Sequence, residues 1–240
     1  MNNSLFDNDD NDDFGILALI DPDLKNDHIL EELINSINNN KFEAVLVGGS
    51  SISDNKFEQR LKIIKNKINK PIILFPGSSN QISKNADAIL FTSLLSGRNP
   101  KYLIDEQLKG VKLIREYGLL VISTGYLLIG NTFQTTVETT SQTKPLNPDK
   151  FENVLHHALV AEYFGMKYIY LENGSGAEIS INCKLVEYLF ENIKIPIIVG
   201  GGIKNKKNIE SLKKAGARYV VLGTILEQNP KSEFISSILP

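Results

Sequence analysis

IPIIVGGGIKNKKNIESLKKAGARYVVLGT, residues 195–224, decides the fold class. It opens on a short β-branched run and three glycines, passes through a stretch with Ile209 and Leu212 at helical spacing, and closes on a second β-branched run followed by Gly223 and Thr224. Strand, helix and strand in that order make a βαβ unit, and its crossover sets the two strands parallel. Working outward, the same alternation predicts strands at FGILALID (14–21), EAVLVG (43–48), PIILF (71–75), AILF (88–91), GLLVIS (118–123), KYIYLE (167–172), IPIIVG (195–200) and RYVVLG (218–223). Helices are expected at 27–39, 54–69, 101–116, 149–164, 182–193 and 205–215, with apolar spacing such as Leu30, Leu33, Ile34 and Ile37. The third connection, Pro76 to Asp87, is too short for a full helix. Eight strands with mostly helical crossovers predict an α/β fold, a TIM (β/α)8 barrel with an incomplete third helix. A doubly wound open sheet would carry its glycine fingerprint after the first strand, where this chain has Asp21-Pro22-Asp23.

The 240 residues suffice for one such barrel, and 42% hydrophobic against 22% charged residues are ordinary globular values. We expect residues 1–13, with five aspartates and no periodicity, to form a disordered acidic arm, and residues 14–240 to form the barrel domain. A net charge of −2 gives no footprint of nucleic-acid binding. Cys183 is the single cysteine, which excludes an intrachain disulfide and a zinc-type cysteine cluster and fits a reducing cytoplasm. No apolar run reaches the roughly 20 residues of a membrane-spanning helix, so any membrane contact is expected to be peripheral.

In a barrel, catalytic groups come from loops at the carboxyl ends of the strands, and phosphate is commonly held after strands seven and eight. Gly200, Gly201 and Gly202 follow the seventh strand and Gly223-Thr224 the eighth, where bare backbone N–H groups can approach phosphate oxygens. A tight turn is the plainer reading of three glycines, and the paired loop is what favours phosphate. Tyr170 and Glu172 project the same way from the sixth strand, and Asn173, Gly174, Ser175 and Gly176 follow as ligand-facing loop. Glu172 suits hydrogen bonding to, or deprotonating, a substrate hydroxyl; a rim glutamate paired with a lysine is the alternative. Asp21 and Asp23 after the first strand, with Ser50 and Ser51 after the second, offer the hard oxygens that Mg²⁺ accepts, although Asp-Pro also simply starts turns. The run Asp9-Asp10-Asn11-Asp12-Asp13 fits the DDxxD pattern of helical prenyl synthases, yet it has no helix to sit on and reads as a solvated arm. His156 and His157 read as one solvent-facing and one packing residue of an amphipathic helix.

LIDPD (19–23), LVGGS (46–50), STGYLLIG (123–130), YLENGSGA (170–177), IVGGGI (198–203) and LGT (222–224), in this order, resemble the geranylgeranylglyceryl phosphate synthase family of barrel prenyltransferases. The resemblance implies transfer of a geranylgeranyl group from its diphosphate to the 3-hydroxyl of sn-glycerol 1-phosphate. It implies Mg²⁺ on Asp21 and Ser50, and glycerol phosphate on Tyr170, Leu171, Glu172, Asn173, Gly174, Ser175, Gly176, Gly201, Gly202, Gly223 and Thr224. Catalysis falls to Glu172 and Tyr170, the prenyl pocket to Tyr126, and the assembly is expected to be a homo-oligomer. The heptaprenyl branch of the family, with a longer donor, carries a lysine where this chain has Leu19, so the chain looks closer to the geranylgeranyl branch. The family's lysine directly after DPD is displaced here to Lys25. A different phosphate-binding barrel enzyme, or a binding protein without turnover, remains open on the residues alone.

Overall fold

The computed structural model describes residues 14–130 and 136–240, so the Asp9 to Asp13 run and the expected acidic arm lie outside the described residues. Eight parallel strands close into a barrel in chain order: β1 (Gly15–Ile20), β2 (Ala44–Val47), β3 (Ile72–Leu74), β4 (Ala88–Leu94), β5 (Leu120–Leu128), β6 (Tyr168–Glu172), β7 (Ile197–Gly200) and β8 (Tyr219–Leu222). The helices are α1 (Leu30–Asn38), α2 (Phe57–Lys67), α3 (Glu106–Tyr117), α4 (Thr136–Ser141), α5 (Phe151–Tyr163), α6 (Cys183–Asn192), α7 (Lys206–Lys214), α8 (Thr224–Gln228) and α9 (Ser232–Ile238).

Strand alternation divides the core in two. Every strand contributes to the cluster that fills the barrel, through Leu17, Leu46, Ile73, Leu90, Ile122, Tyr170, Ile198 and Val221 among others. The intervening residues, such as Ile16, Ala18 and Ile20 of β1 or Ile169 and Leu171 of β6, join the helices' apolar faces in a second, larger cluster. In α1 that face is Leu30, Leu33, Ile34 and Ile37, the spacing read from the sequence. Asparagine side chains cap α6 and α7, where Asn182 accepts from the Lys184 N–H and Asn205 from the Asn208 N–H.

The boundaries differ from the sequence expectation where polar residues continue a strand. β4 and β5 run on past Phe91 and Ser123, pairing from Ala88↔Leu120 to Leu94↔Tyr126. Thr92, Ser93, Thr124 and Gly125 break the apolar pattern, but each strand supplies the other's backbone partners and so both extend. Tyr126 therefore sits inside a strand. The expected 101–116 helix begins as a π-helical turn, Lys101–Asp105, and the expected 27–39 helix is preceded by a 3₁₀ turn, Leu24–Asn26. Between β3 and β4 there is only a 3₁₀ turn, Ser79–Gln81, in place of a crossover helix.

Gly125 shows how closely the helical layer is seated. A Cβ there would lie 2.6 Å from the Ala161 Cβ of α5 and 3.1 Å from Ile169 Cδ1. Overpacking of this kind costs about 1–3 kcal/mol. Gly125→Ala should lower the urea midpoint accordingly with an unchanged denaturant slope, and an unaltered midpoint would show that α5 is not pressed against β5 there.

Candidate active site

At the carboxyl ends of the strands lies a cavity of about 420 Å³. Asp21, Ser50, Tyr126, Tyr170, Glu172, Ser175, Gly201, Gly223 and Thr224 are all in its wall. The structure thus brings the first, second, sixth, seventh and eighth loops to one space. Leu171 is not part of it, because alternation turns its side chain into the helical layer, where it is fully buried. Asn173 instead ties its own loop, its side chain donating to the Ile179 carbonyl at 2.7 Å and its N–H to Gly200 at 3.1 Å. Gly174, Gly176 and Gly202 likewise fall outside the lining and shape the loops behind it.

Glu172 ends β6 and is 7% exposed. Its Oε1 accepts the Gly174 N–H at 2.7 Å. Burial pushes its carboxyl up to about 7, against the opposing pull of that N–H and of the Tyr170 hydroxyl. Such a group can take or give a proton near neutrality. The alternative of a rim glutamate paired with a lysine does not hold, since the carboxylate is buried and its nearest donor is backbone. Tyr170 is fully buried, and its hydroxyl has no hydrogen-bond partner of good geometry among the described residues. Burial first, and the Glu172 charge second, hold its phenol well above the ordinary tyrosine value. Tyr170 is consequently a donor at neutral pH. Phe75, Tyr126 and Tyr170 pack together, with ring centroids 5.1 to 5.9 Å apart, and form the apolar floor beneath the carboxylate.

The glycines after β7 have separate reasons. A Cβ on Gly200 would lie 2.2 Å from the Tyr170 hydroxyl, so that phenol depends on the missing side chain. Gly201 and Gly202 take φ of +84° and +70°, left-handed values that side chains resist, and a Cβ on Gly202 would meet the Ile179 carbonyl at 1.9 Å. Ser175 and Thr224 hydroxyls lie 3.2 Å apart, which joins the sixth and eighth loops.

Asp21 and Asp23 have different fates. Both oxygens of Asp23 are taken, one by the Lys25 N–H at 3.2 Å and the other by the Ser53 N–H at 2.6 Å, so Asp23 holds the loop. Asp21 pairs through Oδ2 with the Lys25 ammonium at 2.7 Å, while its buried Oδ1 has no partner among the described residues. Burial raises the Asp21 carboxyl, and Lys25 opposes this. Lys25, although displaced by one position, still reaches the carboxylate.

Four residues outside the motifs organise this end of the cavity. Gln81 accepts the Gly49 and Gly77 N–H groups at 3.2 and 3.3 Å and donates to the Gly49 carbonyl at 2.7 Å, which fixes the loop bearing Ser50. Asn26 donates to the Asp21 carbonyl at 2.9 Å and to Glu227 at 3.0 Å. Glu227 itself lines the cavity from α8, and the only hint of it in the sequence is its place one turn after Thr224. A buried guanidinium sets the whole entry of the chain: Arg60 pairs with Asp27 and Asp54 and donates to the Pro22 carbonyl at 3.2 Å.

Asp21 Oδ1 and the Ser50 hydroxyl are hard oxygen donors on adjacent loops of one cavity, and the unpartnered buried oxygen fits a small divalent cation. No group of three or more His, Cys, Asp or Glu side chains placed to hold a metal occurs among the described residues, so a cation there would rely on water or substrate oxygens for its remaining positions.

A model of the PcrB family matches residues 11–239. The chain belongs to the PcrB family. Over 222 residues it is 42% identical to a geranylgeranylglyceryl phosphate synthase of Flavobacterium johnsoniae, covering 92% of this chain and 90% of that protein. Among solved structures, it is similar to (S)-3-O-geranylgeranylglyceryl phosphate synthase of Thermoplasma acidophilum in complex with sn-glycerol-1-phosphate, with a TM-score of 0.84 at 31% identity, covering 94% of this chain and 92% of that one. The wild-type enzyme of Thermoplasma volcanium gives a TM-score of 0.83 at 32% identity, over 94% of this chain and 89% of that one.

Burial of Glu172 has a measurable linkage. Its carboxyl is raised from the ordinary 4.5 to about 7, so between those values the folded PcrB-family chain binds a proton that the unfolded chain has lost. The stability this proton contributes is complete below about pH 4.5 and is lost as the pH rises through 7. Glu172→Gln should abolish that decline, and urea unfolding from pH 4.5 to 8 should show the variant gaining on wild type as the pH rises. Parallel stability curves would place the Glu172 carboxyl near its ordinary value.

Proposed function

We propose that the protein joins a geranylgeranyl group, taken from its diphosphate, to the 3-hydroxyl of sn-glycerol 1-phosphate and releases pyrophosphate. The observation that carries this reading is the pairing of a buried, near-neutral carboxyl, Glu172, with the loops after β7 and β8 in a cavity whose other arm is apolar. In the reaction a C–O bond forms between the glycerol hydroxyl and the first prenyl carbon, the bond from that carbon to the diphosphate oxygen breaks, and the hydroxyl proton is lost. In this reading Glu172, near neutral, receives that proton, and Tyr170, held protonated, donates a hydrogen bond to an acceptor oxygen. Backbone at Gly201 and Gly223, with the Ser175 and Thr224 hydroxyls, would supply the acceptor phosphate with donors, in keeping with the usual use of these two barrel loops, while Gly202 shapes the loop behind them.

The donor's tail has its own space. The third crossover is only the turn Ser79–Gln81, and the cavity extends past Ile82, Ile89 and Phe91 to Ile114 of α3. Tyr126 lines the same cavity, and in this reading it borders the prenyl tail. Leu19 lines the cavity beside Gly223 and offers no charge there, which favours the geranylgeranyl reading over the heptaprenyl one.

Asp21 and Ser50 would hold Mg²⁺ in this reading, with Glu227 adding negative charge behind Asp21. When bound, the ion would stabilise charge on the departing diphosphate. Lys25, paired with Asp21, is the cation of this chain already at that position. Homo-oligomer formation belongs to the same reading, and exposed Tyr163 at the end of α5 and Phe164 after it, with Phe190 of α6, give apolar surface for it.

A radiolabelled prenyl-transfer assay tests the reading. Geranylgeranyl diphosphate with sn-glycerol 1-phosphate should give a lipid-soluble ether product, and the mirror-image phosphate should react roughly tenfold to a hundredfold less efficiently, the effect of one unsatisfied buried hydroxyl of about 1–3 kcal/mol. Turnover absent with every prenyl donor would leave a phosphate-binding barrel of another kind. Asp21→Asn should raise the Mg²⁺ needed for half-maximal activity about tenfold or more, because a charged ligand of a hard cation is lost. A superimposable magnesium titration would leave Asp21 as a turn residue only.

A further inference from the structure

The helix that walls the apolar arm of the cavity has a second apolar face turned to solvent. Tyr102, Gln107 and Ile114 look into the cavity, whereas Ile104, Leu108 and Val111 are 50%, 63% and 50% exposed. Spacings of four and three put these three residues on one stripe. Lys101, Lys112 and Arg115 continue the same stripe at helical spacing, and all three are exposed. Asp105 and Glu116 flank the stripe beside Lys101 and Lys112, but exposed Lys101, Lys109, Lys112 and Arg115 outnumber them, and Glu106 turns inward to accept the Ser79 N–H at 2.7 Å and the Lys109 ammonium at 2.9 Å. Apolar side chains interleaved with cations on one face of a helix are the pattern of an interfacial segment.

We propose that the outer face of α3 and its preceding turn, Ile104, Leu108 and Val111 with Lys101, Lys112 and Arg115, docks on an anionic lipid bilayer. The charge of the stripe selects this occupant over a second copy of the chain, since a self-complementary contact would set these cations against each other. The position also suits the surface, because a bilayer against the outer face lies one helix thickness, about 10 Å, from the apolar arm on the inner face. A prenyl chain entering or leaving that arm then crosses little water. Nothing in the docking itself requires the proposed transfer reaction.

The full-length protein, without substrates, should be sedimented with sucrose-loaded vesicles of phosphatidylglycerol or of phosphatidylcholine. Wild type should partition to the anionic vesicles and be released by salt, with little binding to the neutral ones. Leu108→Glu, and separately the double variant Lys112→Glu with Arg115→Glu, should each reduce anionic partition about tenfold or more, with unchanged circular dichroism and unchanged sedimentation coefficient. These side chains are exposed and outside the cavity, so Val111→Ser serves as a milder check should either variant fold poorly. Absence of wild-type binding, or equal binding by all variants, would overturn the proposal. So would a change of oligomeric mass in Leu108→Glu with vesicle binding intact, which would assign the face to contacts between copies.

Discussion

The site depends first on the parallel pairing of β1 with β8. Four residue pairs, from Gly15↔Tyr219 to Ala18↔Leu222, convert a row of βα units into a closed ring. Closure removes both sheet edges. It also sets the loop after β1 beside the loop after β8, two segments about 200 residues apart in sequence. Only through that neighbourhood can Asn26 bridge the Asp21 carbonyl and the Glu227 carboxylate. The acidic and glycine-rich parts of the cavity are thus consequences of one ladder, and neither element alone forms a site.

Closure creates an electrostatic problem in turn. Five carboxyl groups line the cavity, and burial raises three of them, Asp21, Glu172 and Glu227. The chain answers each differently. Asp21 has an ammonium from Lys25, Glu227 has the Asn26 amide, and Glu172 has the Gly174 N–H and the neighbouring Tyr170 hydroxyl but no cation. Glu172 is the most deeply buried of the three, and its value near 7 follows first from that burial, which the Gly174 N–H and the Tyr170 hydroxyl only partly oppose. A better-solvated or cation-paired carboxylate at the end of β6 would stay ionised and bind a cation or an amide; one left short of partners can exchange a proton with a hydroxyl.

Much of this was legible in the sequence, and the boundary of what was legible has a physical cause. The eight strands announced themselves because fully buried parallel strands are runs of β-branched residues, and the period of two placed Tyr170 and Glu172 on one side. The same period, applied strictly, turns Leu171 away from the cavity, which a motif read as a continuous segment conceals. Polar extensions of β4 and β5 were invisible because their stability comes from each other's backbone, not from their own side chains. Gln81, Asn26 and Arg60 were invisible for a related reason: a polar side chain that clamps a distant loop has no local periodicity, and its partners are set by tertiary proximity.

The weakest crossover of the barrel explains the shape of the cavity. No complete helix lies between β3 and β4, and the outward residue Ile89, although 2% exposed and part of the helical-layer cluster, also lines the cavity. With only Ser79–Gln81 in that position, Ile89 and Phe91 border open space, and α3, arriving after β4, supplies the far wall through Gln107 and Ile114. The turn is not idle, since Gln81 holds the Gly49 loop beside Ser50 and the Ser79 N–H binds Glu106 at the start of α3. One short segment therefore leaves the apolar arm open, fixes the loop that carries a candidate cation ligand, and ties down the helix whose two faces look to the cavity and to solvent. A longer insertion there that formed a regular helix would fill the arm while leaving the barrel intact, so fold and site are separable at this point of the chain.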